Sequence, residues 1–441
     1  MKIYLISLGC DKNLVDSEHM ISLLLQAGHE IVQSEDEAEG VIVNTCCFIN
    51  DAKQESINTI LELSALKKQG RIKAIFVTGC LAERYAEQIH AEIPEVDVLL
   101  GTTSFADIAD AVSDYEAGKA ADRFRSIDYL PKLSVRRECF SGTPYAYLKI
   151  AEGCNKHCTY CIIPKLRGSY RSVPMDELLR EARELAESGI KELILVAQET
   201  SCYGIDLYGR KVLPELLEKL AEIDEIMWIR VLYVYPEEIT DDLIRIMSTE
   251  KKIVKYLDLP IQHASDSVLK AMGRRTNKAE IVGLISKLRK EIPGIVLRTS
   301  IITGFPGETE ADFEELLDFI REMRFDRLGA FPYSREENTA ADKMKNQIPA
   351  KVKKARRNEV MRLQQVIAFE KAQKCVGKKL DVIVEGYLPE DEIYVCRSYM
   401  DTPGVDGYVF VKGEPGKMSG DFLKVKITSA KNYDLIGKTV G

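Results

Sequence analysis

The sequence has 441 residues, 45% of them apolar and 29% charged, the proportions of an ordinary soluble globular protein. That length exceeds a single core, so two or three domains are expected. A net charge of −8, from 61 Lys and Arg against 69 Asp and Glu, excludes a surface coated in basic residues for non-specific nucleic-acid binding, and no apolar run is long enough to span a bilayer.

The first ten residues, "MKIYLISLGC", carry an apolar stretch of only about six residues, short of a secretory core. They read as a first β-strand. Eleven cysteines without an export signal point to a reducing cytosol. There, clustered cysteines bind metal or do catalysis more often than they form disulfides.

Residues 1–115 alternate short β-rich runs with amphipathic helical stretches. The strands are "KIYLIS", "EIVQ", "GVIVN", "KAIFVT" and "DVLL", with helices following from Asp16, Asp51, Ala82 and Phe105. The pattern predicts a doubly wound α/β domain. Residues 116–143 are charged and irregular and read as a linker.

From residue 144 to 375 the alternation restarts with six strands: "YAYLKIA", "ELILVAQ", "MWIRVLY", "KYLDLPI", "IVLRTSII" and "RLGAFPY". One helix begins at Pro174 and stops at Gly189, favoured first-turn and terminal positions. Six βα units fit a partial parallel barrel better than a closed eight-fold one. Pro349 opens a long helix, and residues 351–374 carry eight Lys or Arg and two Glu. Residues 376–441 hold short β-runs separated by Gly, Pro and Asp, which predicts a small antiparallel barrel.

The chemistry is concentrated in "GCNKHCTYC" (153–161). Cys154, Cys158 and Cys161 follow the first barrel strand, and parallel α/β folds gather their chemistry at the carboxyl ends of strands. Three thiolates suit a cubane 4Fe-4S cluster with one iron left open for an exogenous ligand. The alternative is a zinc site completed by His157. A second trio, Cys10, Cys46 and Cys80, ends "LISLGC", "VIVNTC" and "IFVTGC". Each falls just past a different parallel strand, so the three should converge on one crevice. Three chance core cysteines are the plain alternative. Cys47 is expected to point elsewhere, and Cys139, Cys202, Cys375 and Cys396 are expected to be structural.

The CxxxCx(aromatic)C spacing, placed after strand one of a partial barrel, resembles the radical S-adenosylmethionine (SAM) superfamily. Two cysteine trios followed by a small β-barrel resemble, over essentially the full length, the methylthiotransferase family. Its parts are an N-terminal cluster domain, a radical SAM barrel and a C-terminal TRAM domain. Further stretches look like family motifs: "SLGCDKNLVDSE" (7–18), "VNTCCFI" (43–49), "YLKIAEGCNKHCTYCIIPKLRG" (147–168), "LPIQHASD" (259–266) and "GFPGETE" (304–310).

The resemblance implies two 4Fe-4S clusters and insertion of a CH3–S– group at an unactivated C–H bond. SAM would serve as methyl donor at the Cys10/Cys46/Cys80 cluster. At the Cys154/Cys158/Cys161 cluster it would yield a 5′-deoxyadenosyl radical. Both clusters would face one cavity, with the N-terminal sheet edge capping the barrel mouth. A low-potential reductant such as flavodoxin or ferredoxin is implied.

Strand ends suggest the SAM contacts: Tyr160 beside the last cysteine, Gln198 and Glu199 after strand two, Gln262 and His263 after strand four, and Arg298 and Ser300 on strand five. Gly304 and Gly307 would let the backbone approach the adenosine.

The family divides between modifiers of tRNA adenosines and modifiers of an aspartate in ribosomal protein uS12. "SLGCDKNLVDSE" and "RSYMDTPGVDGYVFV" (397–411) look like the protein-modifying branch. So does Ser300, where tRNA-modifying relatives often carry Asp. Residues 376–441 hold nine Lys or Arg against ten Asp or Glu, whereas an RNA-binding barrel should be basic. The basic helix at 351–374 is the counter-observation, and tRNA is the alternative substrate.

Overall fold

The structure, a computed structural model, describes residues 1–132, 135–139 and 142–440. The linker's interior and the residue ahead of Gly142 thus lie partly outside the described residues.

The N-terminal sheet has five parallel strands: β1 (Lys2–Ser7), β2 (Glu30–Ile31), β3 (Gly40–Thr45), β4 (Ala74–Gly79) and β5 (Val98–Leu100). Their order is β2-β1-β3-β4-β5, so the chain reverses its direction of winding between β1 and β3. In open α/β sheets that switch point opens a crevice at the carboxyl edge. Helices α1 (Asp11–Gln26), α2 (Asn50–Lys68), α3 (Cys80–Glu92) and α4 (Ile108–Glu116) cover both faces. One face packs Met20, Leu24 and Ile108 on Ile42 and Phe76, and the other packs Ile60, Leu63 and Ile89 on Val41 and Val43. α1 begins at Asp11, five residues before the expected Asp16, because its first turns are polar yet buried. Lys12, Asn13 and Asp16 face another domain rather than water, and such residues carry no apolar periodicity. Within the predicted linker, Arg123 forms a parallel bridge with Leu100 and so extends this sheet.

The second unit has six main strands: β6 (Tyr145–Lys149), β9 (Glu192–Val196), β10 (Trp228–Val231), β11 (Ile253–Asp258), β12 (Val296–Thr303) and β13 (Arg327–Pro332). A two-stranded ribbon, β7 (Ala151–Glu152) with β8 (Arg171–Ser172), follows β6. The six run parallel in the order β13-β12-β11-β10-β9-β6, an open partial barrel with helices outside. The helix expected at Pro174 spans Met175–Glu187, and Pro174 flanks it instead of occupying its first turn.

The tail is a closed barrel of β14 (Lys379–Leu388), β15 (Ile393–Ser398), β16 (Val409–Lys412), β17 (Phe422–Lys431) and β18 (Asp434–Thr439). All its pairings are antiparallel except β16 with β18, which is parallel. β18 was not among the predicted strands. This barrel seals the amino-terminal side of the six-stranded sheet. Ile383 and Phe422 pack against Trp228, Tyr256 and Val296, and Asp401 pairs with Arg327. Asp401 is buried in that seam, while Asp381, Glu390, Asp391, Glu392 and Glu414 are exposed. Lys379, Lys426 and Lys438 stand opposite one another on three exposed strands, a row that the summed charge hides.

The basic helix spans Ala350–Gln373 and lies outside β12 and β13. Its Arg356 pairs with Glu308 and Glu310, and its Lys371 with Asp326. Among the described residues no helix is long and apolar enough to cross a membrane.

Candidate functional site

Three of the six cysteines follow a glycine with positive φ: Gly9 at 91°, Gly79 at 90° and Gly153 at 77°. The backbone turns off a strand end there and approaches a neighbouring segment closely. A Cβ on Gly9 would stand 2.5 Å from the Cβ of Cys46, and one on Gly153 would stand 2.1 Å from the carbonyl oxygen of Ser169. Only glycine fits both constraints. The recurring Gly-Cys pair was a signal available in the sequence.

Cys10 precedes α1, Cys46 follows β3, and Cys80 opens α3 after β4. All three stand at the carboxyl edge. The side chains interact electrostatically: Cys46 feels Cys80 and Cys10, and Cys80 feels Cys10. Burial, then the neighbouring Cys80, pushes the Cys46 thiol up to about 12, and burial raises Cys80. Such thiols are protonated at neutral pH and become thiolates when a bound cation compensates. Ser56 fixes the Cys46 loop, its hydroxyl accepting from the Cys46 N–H at 3.0 Å and donating to the Cys46 carbonyl at 2.9 Å. Cys47 turns away into the core and donates to the carbonyl of Cys80.

The second trio lies on the loop after β7. The Cys161 N–H donates to the Cys158 carbonyl at 3.0 Å, and the Cys154 N–H to the Gly168 carbonyl at 3.1 Å. Thr159 is tied to Met272 and Ala271. Burial pushes Cys154 up to about 11 and raises Cys161 further. No three His, Cys, Asp or Glu side chains among the described residues close to the spacing of one metal ion. A tetrahedral zinc would draw its sulfurs to within about 3.8 Å of one another. Cysteine sulfurs bound to three different irons of a cubane stand further apart than that. His157 is exposed, at φ 52°.

The loops around this trio hold unpartnered polar atoms. Gln198 donates to Glu152 at 2.8 Å while its Oε1 is buried without a partner. Glu199 accepts from the N–H of Ser201, its Oε2 lacks a hydrogen bond, and burial pushes its carboxyl up to about 7. Arg274 lies 4.2 Å over the ring of Tyr235 with two free N–H groups. Tyr235 is 3.7 Å from the sulfur of Cys158. Tyr160 packs beside Met272, Phe305 and Tyr333. Gln262 sits at φ 71° and bridges to Ile301. His263 is buried, its Nδ1 accepting from the N–H of Ser265 and its Nε2 lying 3.7 Å from the Glu308 carboxylate without a hydrogen bond. Ser300 is half-buried inside β12. His157, Tyr233 and Gln262, all in mouth loops, have positive φ without being glycine. Such strain costs about 1–3 kcal/mol each and clusters at functional sites.

Two of the expected contact positions have close neighbours within the chain. Arg298 donates to Asp258 at 2.8 Å and lies 3.9 Å from Asp406 of the terminal barrel, so neighbouring carboxylates already engage its guanidinium. The close approach at Gly304 is made to Lys353, whose Cγ would stand 2.4 Å from an added Cβ. Gly307 meets nothing within 4 Å and owes its identity to φ 86°.

The carboxyl edge of the N-terminal sheet caps the mouth of the open barrel. Arg84 donates to Glu336 at 2.9 Å, Tyr85 to Glu337, the Asn50 N–H to Ser334 and Thr102 to the Leu166 carbonyl. Lys12 lies 3.4 Å over the ring of Tyr233. Sequence reasoning missed Arg167, Asn13, Asp16, Lys149 and Glu152, which form a buried polar knot at this seam. All five lay inside quoted motifs, but nothing local marked them as partners.

Three family models match: uncharacterized protein family UPF0004 over residues 2–101, the radical SAM superfamily over 148–320 and the TRAM domain over 376–440. The chain is 60% identical over 437 residues to a protein of Lachnoclostridium phytofermentans named ribosomal protein uS12 methylthiotransferase RimO, covering 99% of each chain. It is 47% identical over 437 residues to the protein of that name in Clostridioides difficile, covering 99% of this chain and 98% of that one. Among solved structures it is similar to the radical SAM methyltransferase TsrM of Kitasatospora setae with tryptophan and a SAM analogue bound. There the TM-score is 0.56 at 12% identity, covering 86% of this chain and 77% of that one. That likeness concerns the fold alone.

Proposed function

The chain belongs to the ribosomal protein uS12 methylthiotransferases of the radical SAM superfamily, and on that premise we propose that it inserts a methylthio group at the β-carbon of an aspartate in uS12. The observation that carries the reading is the pair of cysteine trios, each at a parallel strand edge, on two domains that close mouth to mouth.

In this reading Cys154, Cys158 and Cys161 hold one 4Fe-4S cluster that also binds SAM, and Cys10, Cys46 and Cys80 hold a second. Bound there, these groups supply the one-electron cleavage and the methylated sulfur that ordinary side chains lack. The donor sets fit: each trio offers three thiols on loops just past parallel strands. The free Oε1 of Gln198 and the Oε2 of Glu199, 3.8 Å from the Lys156 ammonium, are acceptors suited to the ammonium and hydroxyl groups of SAM. Tyr160, Gln262, His263 and Ser300 complete the proposed lining. The N-terminal domain, held by Arg84, Tyr85 and Asn50, keeps bulk water from the cavity, which protects reactive species from side reactions.

The choice of uS12 rests on the printed names of full-length relatives. A low-potential one-electron donor such as flavodoxin or ferredoxin completes the requirement. The test is anaerobic reconstitution with iron and sulfide, then dithionite, SAM and recombinant uS12, with tRNA in a parallel tube. Mass spectrometry should find one methylthio group on an aspartate of uS12. A modified adenosine in tRNA, with uS12 unchanged, would overturn the substrate assignment.

A further inference from the structure

We propose that Arg167 is a positioning residue that fixes the two cysteine trios relative to one another and places a positive charge beside the Cys10, Cys46 and Cys80 group. The inference rests on the two-cluster reading above.

Arg167 lies six residues beyond Cys161, past a short helix spanning Ile163–Leu166, and is only 2% exposed. The chain that carries the barrel trio thus delivers this guanidinium to the opposite domain. One terminal nitrogen donates to Asn13 at 2.6 Å, and the other to Glu152 at 2.9 Å and to Asp16 at 3.3 Å. The guanidinium also stands close enough to the Cys80 thiol to act on it electrostatically.

Each partner leads to a cysteine. The Asn13 amide donates to the carbonyls of Leu8 at 2.9 Å and Thr45 at 3.0 Å, the residues that lead into Cys10 and Cys46. Glu152 stands two residues before Cys154 and is held by Gln198 and Lys149. One planar fork therefore touches the support of Cys10 and Cys46 and the strand end ahead of Cys154, with its charge near Cys80.

Arginine suits this place where lysine does not. Its donors lie in a fixed plane and reach several acceptors at set angles, whereas an ammonium is a point charge on a flexible stem. The local charges also balance. Asp16 and Glu152 face Lys149 and Arg167, so the cations already neutralise the carboxylates. Removing Arg167 would therefore leave an uncompensated negative charge close to Cys80. Hydrogen bonds to cluster sulfurs and nearby charge set reduction potentials.

The test is an EPR-monitored redox titration of the reconstituted full chain, comparing wild type with Arg167→Gln, Arg167→Lys and Asn13→Ala. The ratio of methylthio product to 5′-deoxyadenosine is measured alongside. Arg167→Gln should lower the midpoint potential of one cluster, leave the other in place and cut the product ratio at least tenfold. Arg167→Lys should restore the potential but not the ratio. Asn13→Ala should keep both potentials and lower the ratio, and it carries the test if Arg167→Gln fails to hold iron. Two clusters in wild type with unchanged potentials and ratio in these variants would overturn the inference alone. Iron and sulfide for a single cluster in wild type would overturn the two-cluster reading and this inference with it.

Discussion

Glu192 lies between two arginines, accepting from Arg230 on β10 at 2.8 Å and from Arg397 of the terminal barrel, and none of the three side chains is exposed. Arg397 also donates to Glu385 at 2.7 Å. The terminal barrel is thus joined to the six-stranded sheet by buried charge as well as by apolar packing.

Glu192→Gln should therefore be severely destabilising. It leaves two guanidinium groups in a dry interface with one fewer counter-charge, and breaking a buried pair in this way costs about 3–5 kcal/mol. Chemical denaturation should show the loss, and limited proteolysis should release the terminal barrel at lower denaturant than in wild type. Equal denaturation midpoints would mean that the interface is hydrated in solution.

The cysteine trios should separate by function. Replacing Cys154, Cys158 or Cys161 with Ala should abolish SAM cleavage. Replacing Cys10, Cys46 or Cys80 should spare cleavage and abolish methylthio transfer. Circular dichroism on each variant distinguishes lost chemistry from lost fold. Loss of cleavage in both sets would refute the division of labour between them.

Gly9→Ala and Gly28→Ala make a controlled pair. Both glycines have positive φ, near 90°, but an added Cβ at Gly28 meets nothing within 4 Å while one at Gly9 runs into Cys46. Each should carry a backbone cost of about 1–2 kcal/mol. Only Gly9→Ala should also lower the iron bound per chain, which a colorimetric iron assay reads.

His263 gives the protein an acid-sensitive element. Burial lowers its imidazole from the ordinary 6.5 to about 4, so the unfolded chain binds the proton more readily than the folded one. Its contribution is fully present above about pH 6.5 and is lost as pH falls toward 4. The total is about 3 kcal/mol. Denaturant titrations at pH 7 and pH 4.5 should show a smaller stability difference in His263→Gln than in wild type.

Much of this protein is legible from local pattern. The five N-terminal strands, the six barrel strands and four of the five terminal strands appear as β-rich runs bounded by turn residues. Their periodicity is set by backbone geometry within a few residues. The same locality makes the cysteines readable, because a cysteine just past a parallel strand must stand at the carboxyl edge wherever that sheet is placed. β18 was missed because "DLIGKT" is short, glycine-broken and half-polar, and it is held by a parallel pairing with β16 that closes the barrel.

The tertiary structure alone decided which side chains meet. Arg167 finds Asn13 and Asp16 only because the N-terminal sheet docks on the barrel mouth. Arg298 stands on strand five as expected, and docking of the terminal barrel brings Asp406 to 3.9 Å from it. Lys353 of the long helix packs beside Gly304. The near-neutral charge of the tail concealed a row of lysines turned outward. Sequence spacing fixes the face on which a residue stands, through the period of its strand or helix. The partner on that face is set by domain docking, which brings together residues more than a hundred positions apart and leaves no periodic trace in either segment.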